Sequence, residues 1–298
     1  MKAAVVALSI TLALCTLSKA LAASDPAVNA ELRNGRKVGA SGEPRQALPH
    51  FQKALDLATA KSEGSLDQAE ALMELGECYR EAGQSDKGMP LLSKAIGIAE
   101  KVDGGSEILV AALANLALLD SDAGRCQDSL KCYKRCLAEI GKMPHPDIAT
   151  QAKLENNMGL LMAKSNLDEQ AIKMYERALT RSANDSSMAG LHISCLGNIA
   201  MSYRALKNLA KAEEYASNAV KEAKQAMPID DPDYGFALAQ QGMILVDDHK
   251  YEEARIALSE AIAVLGKALG DDHPQVAQVK ISYAECMAAL KKNPAPDR

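Results

Sequence analysis

Tryptophan is absent from this 298-residue chain, and phenylalanine occurs only twice. A core without large rings has to be filled by Ala, Leu and Met, and such small or flexible side chains suit helices packed at close range better than a sheet. Cys-x-x-Cys does not occur either, which removes the usual zinc spacing and the haem attachment motif. After the N-terminal stretch no segment reaches the roughly 18 uninterrupted apolar residues of a membrane-spanning helix. A cationic surplus is lacking too: the formal net charge is −5, which repels a phosphate backbone and excludes nucleic acid as the expected partner. No glycine-rich phosphate loop follows a strand. His50, His145, His192, His249 and His273 fall in different stretches with no recurrent Ser, Cys or acid beside them, so catalysis finds no foothold. A hydrolase whose Ser/His/acid set assembles only in space is the remote alternative.

What is present begins at the N-terminus. Met1 and Lys2 precede an apolar run from Ala3 to Leu14, and Ala20-Leu21-Ala22 supplies the small residues a signal peptidase accepts. Residues 1–22 are therefore expected to be a signal peptide and the mature chain to be exported. Leu12-Ala13-Leu14-Cys15 resembles a lipidation box, but the bulky Leu14 before the cysteine favours ordinary cleavage over lipid anchoring. Removing residues 1–22 takes away Lys2 and Lys19, leaving 32 cations against 39 acids and a net charge of −7.

A small residue then recurs at a nearly constant interval, as Gly35, Gly76, Ala117, Gly159, Ala200, Gly242 and Ala284, in steps of 41 or 42. Twelve residues after each of the first six stands another small residue: Ala47, Gly88, Ser129, Ala171, Ala212 and Ala254. Seven further on come Ala54, Ala95, Cys136, Ala178, Ala219 and Ala261. Between these two sets lies a larger side chain, Phe51, Leu92, Tyr133, Tyr175 or Leu258, with Ala216 the exception. The pattern predicts antiparallel helix pairs: small residues allow close approach and the large one fills the space beside them. Asp25-Pro26, His145-Pro146 and His273-Pro274 mark helix starts, where a missing N–H costs little. Both His-Pro pairs read as turns and caps, with no metal implied.

Leu75-Gly76-x-x-Tyr79 followed by Gly88, Leu92 and Ala95 resembles the tetratricopeptide consensus. A period near 42, against the usual 34 or so, resembles the kinesin light chain type, as do Leu269-Gly270-Asp271-Asp272-His273-Pro274-Gln275-Val276-Ala277 and His145-Pro146-Asp147-Ile148-Ala149. The resemblance covers about residues 28–291. It implies an all-α, right-handed superhelical solenoid of six helical hairpins and a closing helix over 274–291, within a repeat region of 23–291, followed by a disordered tail over 292–298. The first unit departs from the pattern, because Asn34 replaces the usual Leu and Gly39 and Gly42 weaken the helix.

In such a solenoid the first helix of each unit lines a concave groove. Position six there reads Asn115, Asn157 and Asn198 in successive units, followed by Gln240. The resemblance implies that these amides hold the backbone of an extended ligand; the alternative is that they cap or hydrogen-bond a neighbouring helix. Position nine reads Glu77, then Leu118, Leu160, Met201 and Met243, an apolar floor that Phe236 extends and that could equally be core. Glu70, Glu74, Glu77 and Glu81 make the N-terminal end acidic, and Lys153, Lys164 and Arg204 make the centre basic. The six cysteines after residue 22 lack a disulfide framework and read as free thiols, with Cys126 and Cys132 the pair to test. The expected function is a non-catalytic module that binds a peptide or protein segment without cofactor. A scaffold or assembly factor using outer and edge surfaces is the second reading.

Overall fold

The computed structural model describes residues 25–292. The expected signal peptide and residues 293–298 of the expected tail lie outside them. Of the described residues 82% are helical, in thirteen α-helices with no strand. They are α1 (Pro26–Gly39), α2 (Pro44–Lys61), α3 (Leu66–Glu81), α4 (Ser85–Ala99), α5 (Ser106–Asp122), α6 (Cys126–Ile140) and α7 (Ile148–Lys164), followed by α8 (Asp168–Ser182), α9 (Ala189–Ala205), α10 (Leu209–Ala226), α11 (Pro232–Asp247), α12 (Tyr251–Leu269) and α13 (Pro274–Lys292). These are six hairpins and the closing helix that the period predicts. Lys292, assigned to the tail by sequence, ends α13.

The small and large positions meet as the pattern requires. A Cβ built on Gly35 would lie 2.6 Å from the Phe51 ring, on Gly76 2.8 Å from Leu92 Cγ and on Gly242 2.5 Å from Leu258 Cγ, and on Gly159 it would collide with the Tyr175 ring. In the third unit Ser129 Oγ donates to the carbonyl of Ala117 at 2.7 Å, so a polar residue fits a buried seat by bonding to the facing backbone. Where Ala216 breaks the rule, Ile244 of α11 fills the gap among Ala200, Ala212 and Ala216.

The hairpin turns share a device that the sequence did not reveal. Gly83, Gly124, Asn166, Lys207 and His249 all have positive φ, between 58° and 74°. The next residue then sends its N–H back to the helix five residues earlier: Gln84 to Tyr79, Arg125 to Asp120, Leu167 to Met162, Asn208 to Tyr203 and Lys250 to Leu245, at 2.7–2.9 Å. This bond satisfies a carbonyl that the helix end would leave open. In the first unit Ala40, Ser41 and Gly42 bond back only three or four residues, so the expected departure there is seen in the turn. Yet α1 is well started, with the Asp25 carboxylate accepting from Ala27 N at 2.7 Å.

The described chain forms two compact units, residues 25–154 and 155–292, with the division inside α7. In the N-terminal unit α1, α3 and α5 lie in a row of first helices, each paired with its second helix. Val28, Leu32, Phe51, Ala54 and Leu75 form part of its core. In the C-terminal unit α9 and α11 pair with α10 and α12, α13 packs on α12, and Ile193, Phe236, Leu258, Leu265 and Val276 share a core. No described helix is long and apolar enough to cross a membrane.

Candidate functional site

In the N-terminal unit the row of first helices buries charge. Arg36 of α1 donates from Nη2 to Glu70 Oε1 at 2.7 Å and to Glu74 Oε1 at 2.6 Å, and from Nε to Glu74 at 2.9 Å. The acidic end read from the sequence is therefore partly neutralised by a residue 34 to 38 positions away. Asn115 of α5 is buried and its Nδ2 donates to Glu77 Oε2 of α3 at 3.0 Å. Its amide thus joins neighbouring helices, the alternative that the sequence left open. Leu118 and Lys153 are partly buried.

In the C-terminal unit neutral amides stand at position six, where the N-terminal unit has Glu74 and Asn115. Asn198 of α9 donates from Nδ2 to Asn156 Oδ1 of α7 at 3.1 Å, and Cys195 Sγ lies 3.6 Å from the same oxygen. Asn157, next along α7, is buried, and its Nδ2 has no hydrogen-bond partner. The Gln240 side chain of α11 lies against Gly197 of α9 so closely that a Cβ there would overlap its Oε1. Of the expected apolar floor, Leu160 and Met243 are buried, Met201 is partly exposed, and Phe236 and Met243 belong to the core cluster. Lys164 is exposed at the end of α7. Arg204 is engaged: its Nε and Nη2 donate to Asp247 at 2.9 and 3.2 Å, which uses much of the charge that the sequence offered to an acidic ligand.

Sequence reasoning missed Asn156 and Glu155. Glu155 is fully buried against Arg181 at 2.7 Å and Arg177 at 3.2 Å, both of α8. The signal was available in the run Glu155-Asn156-Asn157, three consecutive polar residues inside a helix with apolar neighbours, whose burial calls for partners.

The six described cysteines after the expected leader are free thiols. Cys78 and Cys286 hold the same place in their units and make the same bond, Sγ to the carbonyl of Pro44 at 3.0 Å and of Tyr251 at 3.1 Å, each at the start of a second helix. Burial pushes the Cys78 thiol up to about 12 and raises Cys136 and Cys195 as well, which makes them poor nucleophiles.

A Ser/His/acid set does assemble in space. Ser182 Oγ lies 3.0 Å from His192 Nδ1, and His192 Nε2 lies 3.3 Å from Glu222 Oε2. But Ser182 is 3% exposed, and its hydroxyl also reaches the carbonyls of Ala178 and Leu179 at 3.0 and 3.1 Å. A nucleophilic serine needs a hydroxyl free to give its proton to the imidazole and an open face. As arranged, the trio ties α8, α9 and α10 together.

Comparison with known proteins agrees with this architecture. Three tetratricopeptide-repeat family models match, one over residues 29–102, one over 67–138 and one over 192–233 and 238–275. Protein kinesin light chain-related 2 of Arabidopsis thaliana is 25% identical over 264 residues, 84% of this chain, and the chain spans 38% of that relative's length. Among solved structures, the tetratricopeptide-repeat sensor protein of the signal transduction ATPase class from Pyrococcus horikoshii superposes with a TM-score of 0.72 at 17% identity, over 90% of this chain and 39% of that one. BtubC from P. vanneervenii gives 0.59 at 16% identity, over 84% and 95%. With its hairpins, its period and these matches together, the chain belongs to the tetratricopeptide-repeat family and has its all-α solenoid fold.

Proposed function

We propose that this chain is a non-catalytic interaction module that captures an extended segment of another polypeptide along the first-helix face of its C-terminal unit. The observation that carries this reading is the Asn157 amide. Its Nδ2 is buried without an acceptor, and an orphaned donor of that kind costs about 1–3 kcal/mol. A ligand carbonyl would remove the cost. An extended segment has carbonyls free to accept, whereas the interior carbonyls of a helix are already bonded. Leu160, one turn along α7, and the partly exposed Met201 of α9 supply apolar surface near the amides, and Met side chains adapt to varied ligands. Asn198, whose amide serves α7, supports this segment from the structural side. The module is further proposed to act after export, in a native chain that mass spectrometry would find beginning at Ala23.

The test is a peptide-array screen with the whole chain, followed by titration of a bound peptide against wild type and Asn157→Ala. The expected loss is about 1 kcal/mol, roughly fivefold in Kd, with the melting temperature not lowered. Wild-type affinity in Asn157→Ala would sink the backbone-capture reading. Whole-protein partners without any peptide binding would favour a scaffold.

A further inference from the structure

Helices α1 and α13 carry different outer surfaces. On α1 the exposed side chains include Arg33, Asn34 and Lys37, a polar face of the kind that keeps a terminal repeat of a solenoid in solution. On α13, Val276, Val279, Ser282 and Cys286 are buried, in a helix that packs on α12. Ala277, Ile281, Ala284 and Ala288, at spacings of four, three and four, lie on the opposite side and are exposed, Ile281 to 51%. Ala284 holds the place that Gly35, Gly76, Gly159 and Gly242 hold in their units, where the second helix of the hairpin brings a large side chain against it. No described residue covers that seat on α13, and residues 293–298, Asn-Pro-Ala-Pro-Asp-Arg, contain no large apolar side chain to fill it. An apolar helix face left in water marks a contact surface.

The charges beside this face select its occupant. In heptad terms Ala277 and Ala284 take d, Ile281 and Ala288 take a, Lys280 takes g and Glu285 takes e, the last two both exposed. Two such helices lying parallel and in register set each g residue beside the e residue five positions on in the other copy, so Lys280 meets the partner's Glu285, twice. An antiparallel pair sets g beside g and e beside e, which brings like charges together. Ile at a suits two strands, and Ala at the other core positions lets the backbones approach closely. Lys280 Nζ also donates to Asp271 of its own chain, to Oδ1 at 2.9 Å and to the carbonyl at 3.2 Å, which leaves the third donor of the ammonium for a second carboxylate. We propose that α13 is a self-association helix: two copies of this chain pair through Ala277, Ile281, Ala284 and Ala288, parallel and in register about a twofold axis, with Lys280 of each bridged to the partner's Glu285. One helix pair lies at the small end of specific interfaces, so the dimer is weak, with a micromolar Kd.

The test is sedimentation equilibrium of the whole chain over a concentration series, which should show monomer and dimer in balance. Ile281→Glu changes an exposed position and leaves the α12 face of the helix intact, so it should give monomer alone with the helix content of wild type by circular dichroism. Lys280→Glu sets like charges across both contacts and should weaken the dimer roughly tenfold. Adding Glu285→Lys restores opposite charges and should recover it; both variants lose the bond to Asp271, so that loss cannot account for a difference between them. Ala284→Cys should give a disulfide-linked dimer on oxidation with diamide, where wild type does not, because in-register pairing sets the two residues side by side. A wild-type chain that stays monomeric throughout would overturn the proposal and leave the face to a helix of another protein. A dimer that withstands Ile281→Glu would overturn it too. A double variant no tighter than Lys280→Glu, or no cross-link through Ala284→Cys, would rule out the parallel register. Should Ile281→Glu fail to fold, the charge exchange and the cross-link decide.

Discussion

The two compact units both carry polar side chains in their first-helix rows but make them from different chemistry. Between residues 25 and 154 the first-helix row holds Arg36 on Glu70 and Glu74, and Glu77 under Asn115. Between 155 and 292 it holds Asn156, Asn157, Asn198 and Gln240, and the bond that links α9 to α7 runs from amide to amide. The buried carboxylate of the latter unit, Glu155, is served instead by arginines of α8. The repeat position sets where a side chain sits, and the side chain sets what the seat responds to. Buried charges are costly to desolvate and answer to pH, whereas amides answer to whether each donor has found an acceptor.

The sharpest break of this comparison is Arg36→Ala. It leaves Glu70 and Glu74 without their cation, and because Arg36 is 34% exposed the loss should be about 2–3 kcal/mol rather than the ~3–5 of a fully buried pair. Denaturant unfolding should show the loss shrinking toward low pH, where Glu74, raised above the usual carboxylate range by burial, can take up a proton. An equal loss at pH 5 and pH 8 would mean that Arg36 acts by packing alone.

Next comes a feature that both units share. Gly159→Ala forces a methyl into the Tyr175 ring and should cost about 1–3 kcal/mol. Gly97→Ala on α4, with nothing within 4 Å of the added methyl, should stabilise by up to about 1 kcal/mol through helix propensity. Thermal melts of the two variants moving in the same direction would refute close helix approach as the reason for the small residue.

The amides give the smaller effects. Asn198→Ala removes the donor to Asn156 and should lower stability by about 1 kcal/mol, independent of pH, since neither partner titrates. Asn157→Ala removes a buried donor with no acceptor, so its stability should hold or rise, by up to about 1–3 kcal/mol. A drop would show that Asn157 is already satisfied inside the protein, and the proposed site would lose its main support.

The period of 41 or 42, the hairpin pairing, the small-against-large contacts and the closing helix from Pro274 were legible in the chain, because each follows from which residues share a face of one helix. The turns were only half legible. Gly83 and Gly124 announce a left-handed residue, but Lys207 and His249 adopt it without any side-chain signal, held there by the backbone bonds from Asn208 and Lys250. The site was legible as a set of positions and not as a set of partners. Arg36 and Glu74 are 38 residues apart, and Asn156 and Asn198 are 42 apart. Whether an amide meets a neighbouring helix or remains open depends on the register between successive first helices and on single rotamers. Helical periodicity is a local property that the sequence determines by itself; those pairings are made across packed helices and were decided only by the tertiary structure.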